Sequence, residues 1–316
     1  MSTMLVLSHA DVERLLPMAE CIDAMEQALA DLARGRVHNP LRFVVRPDGA
    51  SNLLGLMPAH RDPSWALKEV VVAPGNPARG LDAHQGAVLL HDGETGELLA
   101  VMNASAVTAI RTAAVTAVAS RALARENVET VAILGAGVQA RAHLEALRLA
   151  HPAAAFRVWS RTRERAEELG VDVAASAEEA VDGAAVVTTV TSARDPVVRR
   201  EWLAPGAHVN AVGSSIPTTR ELDTATVAAA SLFVDRREST LNEAGDYLFP
   251  AREGAIGPDH IAAEVGEVLI GEHPGRRSAD ELTVFKSLGL AVEDLAAAEH
   301  VYRKAREAGA GTDATW

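Results

Sequence analysis

The chain carries one cysteine, Cys21, in 316 residues, so neither an intrachain disulfide nor a cysteine-ligated metal cluster can form. Aromatic residues make up only 3%, too few for the stacking platforms that hold single-stranded nucleic acids. Basic charge is also in deficit. Thirty Lys and Arg stand against 43 Asp and Glu, a formal net charge of −13, which argues against nucleic acid or an anionic membrane as a partner. The opening residues Met1 to Glu13 lack a basic leader with a long apolar segment, and no apolar run approaches the length of a membrane span. A cytoplasmic protein is therefore expected. No Gly-x-Ser-x-Gly elbow is present, so an α/β-hydrolase is not indicated. His84, His91, His143 and His208 lack metal-ligand spacing, and no metal site is expected; His143 reads as a packing or capping residue.

What is present is a core: 48% of the residues are hydrophobic, enough for one large domain or two ordinary ones. The most informative stretch is Val131-Ala-Ile-Leu-Gly-Ala-Gly-Val-Gln-Ala-Arg-Ala-His143. Four apolar residues run into Gly135-x-Gly137, and a helix-forming segment follows. This is how a buried strand turns into a helix around a phosphate: glycine permits a tight turn and close approach, and the helix N-terminus offers free N–H groups. Two glycines kept only for packing would give the same pair, so the motif alone leaves that alternative open.

Periodicity divides the chain. Leu16 to Arg34 reads as an amphipathic helix. Strand-like runs follow at 41–46, 51–57, 66–73, 86–91 and 98–102, with a turn at 92–96, and the alanine-rich segment 104–125 is helical. From Val128 strands and helices alternate, with strands at 131–134, 156–159, 171–174, 186–191, 208–212 and 232–234, the pattern of a doubly wound parallel sheet. Gly289 to Ala308 reads as one helix.

Three cations draw notice. Lys68 lies inside the apolar run Trp65–Pro74 and is either an ordinary surface lysine or a buried one with a shifted pKa. Arg111 is the only charged residue between Glu97 and Arg121, and its fork matches a carboxylate or phosphate. Arg42, taken alone, reads as surface. After the second strand of the alternating region stand Ser160-Arg161-Thr162, with no acid from Trp159 to Arg163. An acid there would hold the 2′-hydroxyl of NAD, whereas an arginine suits the 2′-phosphate of NADP. NADPH is therefore expected, with NADH as the alternative.

The chain resembles the ornithine cyclodeaminase/mu-crystallin family over nearly its full length. The resemblance rests on Leu56-Met-Pro-Ala-His60, Lys68, Pro74-Gly-Asn-Pro77, His84-Gln-Gly86, Thr108–Ala114, Leu134–Ala140, His208–Ser214, Arg220-Glu-Leu-Asp223 and Thr283–Asp294. It implies a homodimer with an α+β substrate-binding and dimerisation domain, residues 1–118 with 290–316, and a Rossmann domain, residues 119–289. By resemblance Arg42, Lys68 and Arg111 face the substrate: the arginines hold its carboxylate, and Lys68 is the catalytic residue, as proton donor or polariser beside the reacting carbon–nitrogen bond. Arg111, Thr112, Gly135, Gly137, Val138, Gln139, Ser160, Arg161, Thr162, Thr189, Val212, Gly213, Ser214 and Ser287 are implied in cofactor binding.

Two departures set the branch. Cyclodeaminases and the related archaeal alanine dehydrogenases carry an acid/base aspartate where this chain has Ser215, and cyclodeaminases carry a glutamate where it has Gly55. Both departures resemble the mu-crystallin branch, whose members reduce ketimines. The expectation is an NAD(P)H-dependent imine reductase acting on a small 2-imino acid, cyclic or acyclic. An ornithine cyclodeaminase, an alanine dehydrogenase-like enzyme and a non-catalytic NADPH-binding protein remain its rivals.

Overall fold

A computed structural model describes residues 3–315, so the outermost residues of the expected terminal segments lie outside it. The chain divides into two compact units, Met1–Thr112 with Leu290–Trp316, and Ala113–Gly289. The first contains β1 (Thr3–Leu7), α1 (His9–Leu15), α2 (Met18–Ala33), β2 (Phe43–Val45), β3 (Leu53–Arg61), β4 (Ser64–Val72), β5 (His84–Asp92), β6 (Leu98–Asn103) and the start of α3 (Ala104–Leu123). The second contains the rest of α3, then β7 (Thr130–Leu134), α4 (Val138–Ala150), β8 (Ala155–Trp159), α5 (Arg163–Glu167), β9 (Asp172–Val173), α6 (Ala177–Val181), β10 (Val186–Thr189), β11 (His208–Ala211), α7 (Thr224–Ala229), β12 (Ser231–Val234), α8 (Arg237–Glu243), α9 (Gly245–Arg252), β13 (Ile261–Glu264), α10 (Val265–Leu269) and β14 (Thr283–Lys286). The chain then returns to the first unit with α11 (Ala291–Ala308) and β15 (Thr312–Thr315).

The first unit is built on a seven-stranded sheet in the order β15-β1-β6-β5-β4-β3-β2. Its pairs are antiparallel except β1 with β6. Along β4 burial alternates, with Ser64, Ala66, Lys68 and Val70 buried and Trp65 and Val71 exposed. One face is therefore wet and the other dry. On the dry side α11 packs against β3, β4 and β5 and against α2. The apolar stripes responsible are Ile22, Met25 and Leu29 on α2 and Leu295, Ala298 and Val301 on α11, all essentially inaccessible. Helix α11 starts where Asn39 caps the backbone N–H of Val292 at 2.8 Å, and it stops at Gly309 in the left-handed conformation, φ 60°.

The second unit is a doubly wound sheet of eight strands in the order β13-β12-β14-β11-β10-β7-β8-β9, every pair parallel. The order reverses between β7 and β10, which run into neighbouring loops at their carboxyl ends, the place where such sheets bind ligands. Valine and alanine fill the strands because helices cover both faces of the sheet.

Four strands escaped the sequence reading: β1, β13, β14 and β15. Each has four or five residues and borrows its order from neighbours already in place. The unit boundary falls after Thr112, inside an unbroken α3, where the sequence suggested residue 118. Helix α3 is also long and apolar enough to cross a membrane, which corrects the expectation that no run approaches that length. Most of it is buried in the protein, as in the core helix of a globular fold, and this is why alanine and valine dominate it.

Candidate active site

In the first unit the sheet brings Lys68 and Arg111 to one carboxylate. Lys68 points from the dry face of β4 and is 3% exposed, which resolves the two readings of it in favour of burial. Its Nζ lies 2.7 Å from Oδ2 of Asp294. Arg111, in the third turn of α3, sets Nε 3.0 Å from Oδ1 of the same carboxylate and Nη1 2.6 Å from Oε2 of Glu293. Both acids stand in the first turn of α11, where the helix dipole favours negative charge. Burial drives the pKa of Lys68 down to about 8, with Arg111 and Arg42 pushing the same way and Asp294 opposing them. Arg42 is half-buried and acts on Lys68 through its charge, so it is not the plain surface residue it seemed in isolation. His84 on β5 also faces this group. Its pKa is lowered by burial first, then by Lys68 and Arg111, which keeps the ring neutral at pH 7. Thr112, next on α3, is buried.

In the second unit the carboxyl ends of β7, β8, β10, β11 and β14 carry the remaining predicted residues. Gly135 follows β7 at φ 124°, and a Cβ there would stand 2.6 Å from the carbonyl oxygen of Val190. Only glycine fits a backbone in that region so close to its neighbour. Gly137 is the N-cap residue of α4 and differs: a Cβ there would meet nothing within 4 Å. Glycine keeps that space open above the free N–H groups of Val138, Gln139 and Ala140. The Oε1 of Gln139 is buried without a hydrogen-bond partner. An open helix N-terminus with free N–H donors fits the pyrophosphate of a dinucleotide. Ser160, Arg161 and Thr162 form a turn at the end of β8, with the Thr162 N–H donating to the Ser160 hydroxyl at 3.3 Å, and Arg161 is exposed.

The loops after β10 and β11 are fastened from beneath by residues to which the sequence reading gave no role. Glu221, fully buried, accepts from the Thr189 hydroxyl (2.8 Å), the Thr191 N–H (2.8 Å) and hydroxyl (2.7 Å), and the N–H groups of Gly213 (2.7 Å) and Ser214 (3.3 Å). Burial and then Asp246 push its pKa up. Both its oxygens nonetheless receive obligate N–H donors, the arrangement of an ionised carboxylate. Asp246 in turn accepts from the N–H groups of Glu221 and Leu222 and pairs with Lys286 at 2.9 Å. Lys286 donates to the carbonyls of Ala211 and Ser214. The predicted Thr189 and Ser214 hydroxyls therefore donate inward, Ser214 to the Thr219 carbonyl at 2.6 Å. Val212 and Ser287 are buried, Ser287 through its N–H to Ala211, so these segments present mainly backbone.

Glu221, Lys286, Glu293 and Asp294 lie within two stretches that carry the family resemblance, Arg220–Asp223 and Thr283–Asp294, without having been given a role there; Asp246 lies outside them. His143 and His208 are structural. His143 sits 3.0 Å from the Thr116 hydroxyl, and burial lowers its pKa to about 4; His208 lies between Thr283 and Asn210 with its pKa near 3. Among the described residues no three His, Cys, Asp or Glu side chains gather as metal ligands.

Residues 2–309 match the model of the ornithine cyclodeaminase/mu-crystallin family. The ketimine reductase mu-crystallin of Mus musculus is 43% identical over 292 residues, covering 89% of this chain and 90% of that protein. The Delta(1)-pyrroline-2-carboxylate reductase of Thermococcus litoralis, solved in complex with NADH and L-proline, is 37% identical with a TM-score of 0.94, over 98% of this chain and 99% of that one. An archaeal alanine dehydrogenase dimer with bound NAD is 33% identical with a TM-score of 0.95 over the whole of both chains.

Proposed function

The chain belongs to the ornithine cyclodeaminase/mu-crystallin family, and on that premise we propose that it is an NAD(P)H-dependent reductase of small cyclic 2-imino acids, converting them to the corresponding amino acids. The observation that carries this reading is Lys68, a buried lysine whose pKa of about 8 suits a proton donor near neutrality. When bound at the N-terminus of α4, the reduced nicotinamide cofactor supplies the hydride. Everything else falls to the chain. Lys68 gives its proton to the imine nitrogen, so that C=N becomes CH–NH with hydride on carbon and proton on nitrogen. Arg111 uses two N–H groups on Asp294 and Glu293, and its other donors, with Arg42, hold the substrate carboxylate. Gly135 and Gly137 shape the pyrophosphate turn, with Val138 and Gln139 supplying the first N–H groups of α4. Arg161, flanked by Ser160 and Thr162, receives the 2′-phosphate, so NADPH is preferred over NADH. Backbone at Thr189, Val212 to Ser214 and Ser287, with Arg111 and Thr112, completes the cofactor contacts.

The enzyme works as a homodimer. The wet face of the seven-stranded sheet carries Val6, Leu67, Trp65, Val71 and Phe43, none of them buried in the single chain. An apolar face of this breadth is suited to a second copy. Sedimentation of the purified protein tests it, and a Trp65→Glu variant should shift toward monomer.

The decisive experiment follows NADPH oxidation with five- and six-membered cyclic 2-imino acids, with pyruvate plus ammonia or methylamine, and with ornithine plus NAD. Turnover of the cyclic imines is the expected result. A rate confined to pyruvate plus amine would move the substrate to acyclic imines. Ammonia and proline from ornithine would instead make it a cyclodeaminase, and tight NADPH binding without any turnover a binding protein.

A further inference from the structure

We infer that Asp294 is the positioning residue of this site: through its two oxygens one carboxylate fixes the proton donor Lys68 and the clamp Arg111 in a single register. The inference rests on the imine-reductase reading, because only that reaction makes Lys68 a proton donor.

The geometry is specific. Oδ2 meets Nζ of Lys68 at 2.7 Å and Oδ1 meets Nε of Arg111 at 3.0 Å, so each oxygen serves a different cation. All three side chains are at most 5% exposed. They come from three elements, β4, α3 and α11, whose only shared ligand among these contacts is this carboxylate. Glu293, one residue earlier, pairs with Arg111 through Oε2 at 2.6 Å. The anchoring of α11 by Asn39 at Val292 places both acids, so the carboxylate is set by the helix start and not by a mobile side chain alone.

The charges around Lys68 say what the carboxylate does there. Arg111 faces it from α3, Arg42 from the segment before β2 and His84 from β5; Glu293 stands beside Asp294 on α11, with its charge on Arg111. Cys21 faces the group from α2 as a neutral thiol, since burial raises its pKa. Burial and both arginines disfavour the ammonium, and Asp294 is the group that favours it. Two buried cations held this close would otherwise repel each other, and a lysine buried beside an arginine would lose its proton. The bridging anion lets both stay charged and close. A neutral residue at position 294 should leave Lys68 aimed loosely and deprotonated at lower pH.

The test is the pH profile of kcat/KM for cyclic imine reduction by the wild-type enzyme, Asp294→Asn, Asp294→Glu and Glu293→Gln, all on the same substrate so that its own ionisation is common. Wild type should lose activity as the pH rises through about 8, because the donor must be protonated. In Asp294→Asn that limb should move down by about 1–3 pH units, the effect of one adjacent opposite charge, with activity partly regained on acidification. Glu293→Gln should raise KM and leave the limb in place. Asp294→Glu keeps the charge but misplaces it, so the limb should stay while kcat falls. An Asp294→Asn enzyme that is folded by thermal melt and NADPH binding, yet slowed equally at every pH, would overturn the inference. Should Asp294→Asn not fold, Asp294→Glu decides: a wild-type kcat there would overturn it. A wild-type protein that turns over no imine would remove the functional reading itself, a failure distinct from an unmoved limb in an active enzyme.

Discussion

The candidate residues of the two units are made of different material. In the first unit it is buried charge: Lys68, Arg111, Glu293 and Asp294, drawn from β4, α3 and α11 and paired across up to 226 residues of chain (294 − 68). In the second it is mostly backbone: a glycine turn, a helix N-terminus, and two loops tied down by Glu221. A buried charge is strong but needs its partner, since losing one leaves the other unpaired. A backbone cradle needs no side chain, only room and the right φ. The group in the first unit should therefore fail by losing chemistry, and the cradle in the second by losing shape.

The sharpest way to break the comparison is Lys68→Met. It removes the proposed proton donor, leaves Arg111 still paired with Asp294, and fills the space with an unbranched apolar chain. Imine reduction should fall by about 100-fold or more, with NADPH affinity unchanged. Near-wild-type turnover would take Lys68 out of its role. In the second unit the matching change is Gly135→Ala. The φ of 124° and the carbonyl of Val190 both oppose a side chain, and a loss of about 2–4 kcal/mol in stability is expected, read by denaturant unfolding. An unchanged midpoint would show that the turn relaxes freely.

The same difference decides what could be read from the sequence. The cradle was legible because it is local: Val131 to His143 holds strand, turn and helix in one run, and both glycines stand where the structure uses them. Lys68 and Arg111 were visible as odd charges in apolar surroundings, but burial is not encoded at one position. Their partners Glu293 and Asp294 lay in a stretch that carries the resemblance, but the pairing was not legible, because a carboxylate at the start of a C-terminal helix gives no sign of which strand it will meet. Glu221 escaped for the same reason. Its ligands Thr189, Thr191, Gly213 and Ser214 lie on other segments, and their pairing depends on how the parallel strands are ordered. Length does not explain why β13 and β14 were missed, since β10 to β12 are as short; β13 reads Ile-Ala-Ala-Glu, with one β-branched residue beside helix-forming alanines, and β14 reads Thr-Val-Phe-Lys and ends on a charge.

Acid should separate the units next. His143 and His208 are fully buried in the second unit with pKa values near 4 and 3, against about 6.5 in an unfolded chain. The folded-state values are depressed, so their neutral forms contribute stability at pH 7. Below about 6.5 the unfolded chain takes up a proton at each site and the folded one does not. Stability then falls by about 1.4 kcal/mol per pH unit per histidine until the folded values are reached. Hydrogen exchange at pH 7 and pH 5 should show protection falling in the segments around β7, α4 and β11 more than in β3 to β5. Equal loss in both regions would mean that the histidines do not govern acid sensitivity.

The smallest effect should come from Gly137→Ala, and it isolates what the cradle is for. The backbone there is extended at φ −95°, which alanine adopts, and a Cβ would meet nothing within 4 Å. The change should therefore leave the fold alone, apart from a few tenths of a kcal/mol at the N-cap. It puts a methyl group where a pyrophosphate would approach the first turn of α4. NADPH affinity should fall by about 1 kcal/mol, roughly fivefold in Kd by fluorescence titration, with the melting temperature nearly unmoved. Gly135→Ala and Gly137→Ala stand two residues apart and should then give opposite signatures, stability lost in one and affinity in the other. An unchanged Kd in Gly137→Ala would mean that the open space is not where the phosphates sit.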